Sequence, residues 1–272
     1  MENVTEVGIV FDIGGSKTRV ASVHKDTLLE VEIVDTPENP EEGLALIEQL
    51  VKKIIGNAQV TAVVGDAPGI VENGVLVRAP NLLLWNDTDV STFLKNALGA
   101  PVTLFNDSEL VALGEYEYGA GEHSSNMMYL TVSTGVGGAL IENGEIQRGK
   151  YNVEIGHQLV GDDTVENQIS GTAVRKKYGI DPWKLESIEE REKLAEILAK
   201  SLYDNVLHWS PDTIVIGGSM ITGENPIPID HVEETLNKLV TTMSPHAPRV
   251  KKAQLGKLGG LYGGMAYLKR AT

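Results

Sequence analysis

Apolar, β-branched runs at 7–11, 19–23, 28–34 and 60–64 predict strands in the opening part of the chain. Between the last two, "PEEGLALIEQLVKKIIG" places Leu44, Ile47, Leu50, Val51 and Ile54 on one face and closes with Gly56, the pattern of a helix. "GVLVRAPNLLLW" reads as a short strand followed by a loop. "STFLKNAL" (91–98) reads as a helix with Ser91 at its N-cap. "APVTLFNDSELVALGEYEYG" gives a buried strand ending at Phe105 and a helix from about Asp107 to Tyr118.

A second block repeats the theme. "NMMYLTVSTGVGGALIENGEIQRG" is two strands around a Gly-rich turn, echoing the opening "GIVFDIGGSKTRVASV" and suggesting two similar halves. Helices follow at about 166–178 and 188–208, the second striped by Leu194, Leu198, Leu202 and Val206. "DTIVIGGSM" is a buried strand ending in paired glycines, and "KLGGLYGGMAYLKR" reads as a helix despite its four glycines. No low-complexity linker separates the blocks.

Composition narrows the classes. The 272 residues can bury a large core, and 42% hydrophobic content is that of an ordinary globular protein. A net charge of −15 argues against nucleic-acid or anionic-membrane partners, which need a basic face. The absence of cysteine removes disulfides, thiolate zinc sites and Cys nucleophiles, and fits a reducing interior. The N-terminus has acids where a signal peptide needs positive charge, and no window reaches membrane-spanning length, so a cytoplasmic protein is expected.

Several stretches could carry chemistry. The strand ending at Asp12, followed by Gly14, Gly15, Ser16 and Lys17, could cradle phosphate on its backbone amides, with Asp12 holding Mg²⁺ through water. A plain Gly-Gly hairpin is the alternative. The turn Ser133 to Gly138, with Thr134, Gly135, Gly137 and Gly138, could grip the same polyphosphate or be a second plain hairpin. Gly217 and Gly218 end a strand where a flat ring such as adenine could approach, or where helix and strand pack closely. Asn106 and Asp107 stand where strand becomes helix, so Asp107 is either a general base or a helix cap. Glu154 and His157, with Glu166 and Asn81, could ring a polyhydroxylated ligand, or His157 could be a satisfied loop histidine. Trp85, Trp183 and Trp209 read as packing residues.

Taken in order, Asp-x-Gly-Gly-Ser-Lys-Thr, Asn-Asp before a helix, Ser-Thr-Gly-x-Gly-Gly, Glu-x-Gly-His and Val-Ile-Gly-Gly resemble the ROK-family sugar kinases almost end to end. "APNLLLW" and "ENQISGTAV" resemble further family segments. The resemblance implies an α/β, actin-like (ribonuclease H-like) two-domain fold with the ligand cleft between domains. The smaller domain would cover 1–115, completed by the C-terminal helix at about 256–272, and the larger would cover 116–255. By the same resemblance Asp107 is the catalytic base, and Asn106, Glu154, His157 and Glu166 hold sugar hydroxyls. Asp12 to Lys17 and Thr134 to Gly138 are then the phosphate loops.

One departure is large. Family members commonly follow Glu-x-Gly-His with a Cys-rich stretch that binds structural zinc, but here "QLVGDDTVE" joins His157 to Glu166 without a cysteine. No zinc is expected. Asp162 and Asp163 could hold another cation or be solvated loop carboxylates. Ser133 and Ala139 stand where glycine is usual. The expectation is an ATP- and Mg²⁺-dependent kinase for a hexose or N-acetylhexosamine, glucokinase-like and homodimeric. A polyphosphate-dependent glucokinase and a non-catalytic sugar-sensing protein are the rivals. The family's DNA-binding repressors are disfavoured by the acidic charge and by a chain that opens at the first phosphate strand.

Overall fold

The structure, a computed structural model, describes residues 5–150 and 152–271. It divides into two compact units, Met1–Gly114 with Lys257–Thr272, and Glu115–Gly256.

The first unit is built on the predicted strands β1 (Glu6–Ile13), β2 (Lys17–His24), β3 (Thr27–Asp35) and β4 (Gln59–Ala67). A small antiparallel sheet of β5 (Ile70–Glu72), β6 (Val75–Arg78) and β7 (Thr88–Asp89) precedes β8 (Val102–Asn106). The main sheet runs β3-β2-β1-β4-β8, antiparallel from β1 through β3 and parallel across β1, β4 and β8. Helix α1 (Pro40–Ile55) starts at Asn39, whose side chain accepts from the amides of Glu41 (2.8 Å) and Glu42 (3.4 Å). It ends at Gly56 in the left-handed region, φ 55°. Its buried stripe joins α2 (Val90–Leu98) over one sheet face in a core of Ile9, Phe11, Ile13, Ile47, Val51, Trp85 and Leu94. Asp89, not Ser91, caps α2, accepting from the amide of Thr92 at 2.9 Å. An ionised carboxylate at the N-terminus gains more from the helix dipole than a hydroxyl does. Helix α3 (Asp107–Tyr118) follows β8 directly, and the unit boundary falls within it.

The first unit is completed by the last helix, Gly259–Ala271. Its glycines have a packing reason: a Cβ on Gly263 would collide with the carbonyl of Leu110, and one on Gly264 with Val10. Close approach there outweighs glycine's helix penalty of about 1 kcal/mol.

The second unit repeats the plan. Strands β9 (Asn126–Val132), β10 (Val136–Glu142) and β11 (Glu145–Ile146) are antiparallel, and a short hairpin follows, β12 (Leu159–Val160) and β13 (Asp163–Thr164). β14 (Thr213–Gly217) and β15 (Arg249–Lys252) run parallel to β9, giving the order β11-β10-β9-β14-β15. Both main sheets therefore have the order 3-2-1-4-5, the repeat that the echoing turns suggested. The long helix predicted at 166–178 is two, α4 (Val165–Ile169) and α5 (Gly171–Tyr178). Ser170 is extended between them (ψ 162°) and caps α5 through the amide of Ala173, 3.1 Å from its hydroxyl. Helix α6 (Ile188–Trp209) buries Leu194, Leu198, Leu202 and Val206. Helices α7 (Ser219–Thr222) and α8 (Ile229–Val240) lie between β14 and β15 in sequence, which makes the last helix α9. Among the described residues, no helix is long and apolar enough to cross a membrane.

Candidate functional site

In the first unit the turn between β1 and β2 is a hairpin, closed by the Gly14 amide donating to the Lys17 carbonyl at 2.9 Å. One rung behind it, three charged side chains lie on adjacent strands. Arg19 pairs with Asp12 on β1, and Asp12 pairs with Asp66 on β4. Arg19 donates to Asp12 at 2.6 Å, each side chain 15% exposed. Asp66 is 1% exposed, and neither of its oxygens meets a hydrogen-bond donor. Burial, then the charges of Asp12 and Asp107, push Asp66 well above the carboxylate range. Burial also raises Asp12, opposed by the Arg19 guanidinium. Neither Arg19 nor Asp66 was singled out from sequence. Arg19 sits in an apolar strand run and Asp66 in "AVVGDAPG", where only the pairing across the sheet reveals them.

Asp107 opens α3. Its Oδ1 accepts from the backbone of Ser108 at 2.8 Å. Burial raises its pKa to about 6, helped by the Asp12 charge and opposed by hydrogen bonds from Ser108 and Asn106. Asn106 is the structural cap: its Oδ1 accepts from the Ser108 amide (2.9 Å) and its Nδ2 donates to the Gly69 carbonyl (2.7 Å). Asn81, exposed on the loop after β6, stands against the first turn. A Cβ on Gly15 would lie 3.3 Å from that of Asn81. Lys17 is an exposed partner of Asp35 at 2.6 Å.

In the second unit three predicted motifs meet at Val136. Its amide donates to Glu166 Oε2 at 2.7 Å, an approach that glycine at 135 permits, since a Cβ there would lie 2.5 Å from that oxygen. Gly156, between Glu154 and His157, lies so close to the Val136 carbonyl that a side chain would collide with it. Glu166 thus binds the turn through one oxygen. Glu154 precedes and His157 ends a single 3₁₀ turn, both exposed, their side chains 3.5 Å apart. Glu154 also borders a pocket of about 780 Å³ lined by Arg148, Gln158, Asp204 and His208 together with Leu140, Ile155 and Trp209. From Leu159 to Thr164 the chain is the tight β12–β13 hairpin, turning through Gly161 at φ 69°. Asp163 is exposed there and engaged by Asn167 (2.9 Å) and the Thr164 amide (2.7 Å), bonds that lower its pKa.

Gly217 and Gly218 have packing reasons of their own. A Cβ on Gly217 would lie 2.8 Å from the Tyr129 hydroxyl, and Gly218 has φ 89° against the Val132 backbone. Just beyond them is an open pocket of about 390 Å³, lined by Ser133 and Thr134 of the turn, Arg175, Trp183, Ser219 and Asn225. Trp183 is 47% exposed, so it is not the packing residue the sequence suggested.

The donor set suits Mg²⁺. Asp12, Asp66 and Asp107 bring three carboxylates against one guanidinium, a hard-oxygen surplus of negative charge. Among the described residues no three such side chains are arranged to chelate a metal alone.

A profile described as the ROK family matches residues 8–271. The chain is 27% identical to an N-acetylmannosamine kinase of Haemophilus influenzae (strain PittGG), over 96% of this chain and 95% of that protein. A ROK hexokinase from Thermus thermophilus superposes with a TM-score of 0.87 at 23% identity, covering 97% of this chain and 99% of its own. A ROK-family glucokinase from Streptomyces griseus, in complex with glucose and AMPPNP, superposes with a TM-score of 0.79 at 24% identity, covering 98% and 100%.

Proposed function

The chain belongs to the ROK family, and from that premise we propose that it is an ATP-dependent kinase, assisted by Mg²⁺, that phosphorylates a hydroxyl of a hexose or N-acetylhexosamine. The observation that carries this reading is Asp107, a carboxylate at a strand-to-helix junction whose pKa is raised to about 6. A base with that pKa is ionised at neutral pH and still strong enough to take a hydroxyl proton as the oxygen attacks. In the proposed step the sugar oxygen forms a bond to the γ-phosphorus, the bond to the β-bridging oxygen breaks, and the proton ends on Asp107. ADP and a sugar phosphate leave.

The other residues position the partners. Asn81, Asn106, Glu154 and His157 hold sugar hydroxyls, and Asn106, already fixed by Gly69 and Ser108, sets the start of α3 and with it Asp107. The turns Gly14 to Lys17 and Thr134 to Gly138 receive phosphate oxygens on backbone amides other than those of Gly14 and Val136. Those two are given to the Lys17 carbonyl and to Glu166, so Glu166 holds the second turn in shape. Asp12 would hold Mg²⁺, which when bound would supply charge neutralisation at the transferred phosphoryl group. Most of the rate comes from positioning and electrostatics.

The test is ADP release from ATP and Mg²⁺ with a panel of hexoses and N-acetylhexosamines. Release with one sugar, lost in Asp107→Ala, is expected and names the substrate. Silence across the panel, or full activity in Asp107→Ala, overturns the reading.

A further inference from the structure

The segment that joins His157 to Glu166 is short and largely open to solvent. Leu159 is 64% exposed, and Gly161, Asp162 and Asp163 are exposed beside it. Strands as short as β12 and β13 supply little rigidity of their own, since an isolated hairpin is marginal in water. Two glutamines hold this one from either side. Gln158, between His157 and β12, reaches onto α6. Its Oε1 accepts from the Ser201 hydroxyl (2.9 Å) and Asn205 Nδ2 (3.1 Å), and its Nε2 donates to the Ser201 carbonyl (3.2 Å) and Asp204 (3.1 Å). A side-chain amide has two donors and two lone pairs, and all four are used. Ser201 and Asn205 are buried and share one face of α6, a helix anchored in the core by Leu198 and Leu202. From the other side, Gln168 on α4 donates Nε2 to the carbonyls of Val160 (2.9 Å), Asp163 (2.9 Å) and Thr164 (3.3 Å).

We infer that Gln158 is a positioning residue for sugar recognition: its bonds to α6, with Gln168 closing the hairpin behind it, fix the turn that carries Glu154 and His157. The inference rests on the kinase reading above, which gives those two side chains to the sugar. The path from the glutamine to them is short. Gln158 follows His157 directly, and its backbone amide donates to the Ile155 carbonyl (3.1 Å) within the same 3₁₀ turn. Its carbonyl accepts from the Val165 amide (2.9 Å), one residue before Glu166. One residue thus ties the turn to α6 and to the start of α4. Glu154 and His157 are exposed and have little packing to place them, so a braced backbone does so.

The experiment compares Gln158→Met, Gln158→Glu, and Gln158→Glu combined with Asp204→Asn, all in the full chain. Methionine fills similar space and makes none of the four bonds. Gln158→Met should raise KM for the sugar roughly tenfold, with kcat and KM for ATP within about twofold. Gln158→Glu keeps both acceptors but sets a carboxylate against Asp204, so alone it should be as poor. Adding Asp204→Asn reverses the direction of that bond and should recover most of the sugar KM, a rescue that general loosening does not give. Amide exchange without ligand should be faster over 155–165 in Gln158→Met and unchanged over 194–202. A wild-type sugar KM in Gln158→Met, KM for sugar and ATP rising together, a double variant no better than Gln158→Glu, or unchanged exchange over 155–165 overturns the inference. If no sugar supports turnover, the kinase reading fails, yet the exchange still decides whether Gln158 holds the turn.

Discussion

The two sheets share one strand order but differ one rung behind the first hairpin turn. In the first unit that rung carries Arg19, Asp12 and Asp66, and in the second it carries Gly137, Thr131 and Gly217. Both turns sit at the same place in the topology, so the backbone offers the same amides twice. Side chains make the difference. Burial, helped by the Asp12 charge on that rung, raises the pKa of Asp107 in the first unit, a setting for proton transfer. The small, uncharged rung of the second leaves the turn amides without a competing carboxylate one rung behind.

The second unit also shows how this fold satisfies a buried acid. Glu115, 1% exposed like Asp66, accepts from the amides of Ala120 (2.9 Å), Gln254 (2.9 Å) and Leu255 (2.8 Å). Asp66 accepts none. A buried carboxylate without donors is costly, and such cost is commonly tolerated where it serves a site.

The comparison breaks most visibly in pH. Asp107 near 6 is protonated and idle as a base at lower pH, so kcat/KM should fall about tenfold per unit below 6 and level off above it. Stability should run the opposite way. A carboxylate raised from 3.8 to about 6 by folding favours the folded state when protonated, and that contribution is complete below 3.8 and lost as pH rises through 6. Rate profiles and thermal melts across this range check both signs, and a flat rate profile contradicts the role given to Asp107.

In the second unit, Gly135→Val should displace Glu166 from the Val136 amide and raise KM for ATP roughly tenfold, about 1.4 kcal/mol, with a smaller change for sugar. Steady-state kinetics with each substrate varied decides it, and an unchanged KM for ATP counts against the second turn as a phosphate loop. Glu115→Gln, which weakens a full set of accepted bonds, should cost about 1–2 kcal/mol in urea unfolding. Asp66→Asn should do the reverse at pH 7–8, raising Tm by about 2–4 °C as a strained acid becomes a neutral amide. Its advantage should shrink as pH falls toward 3.8, where the wild-type acid is protonated in both states. A lowered Tm would show that Asp66 is satisfied in solution.

Local pattern made much of this legible. The four early strands, α1, the β8–α3 junction and the two hairpins follow from periodicity and turn residues, and the order of five motifs carries the family. What escaped depends on neighbours distant in sequence. Asp66 looks like an interruption in an apolar run until β4 is laid beside β1, and Arg19 likewise needs β1 to find Asp12. Trp183 reads as packing because aromatic residues usually pack, and only its exposure says otherwise. Ser170 divides one helical pattern into two because its hydroxyl can cap the second, a choice that periodicity does not register. Helix α8 and strand β15 were not read from the sequence at all.

The most direct measurement is on Asp107→Asn in a single preparation: kcat, together with dissociation constants for sugar and for ADP. Its kcat is expected to fall by about 10²–10⁴ while both dissociation constants stay within about threefold of wild type. A wild-type kcat with binding intact would contradict the assignment of proton transfer to the charged rung's neighbour.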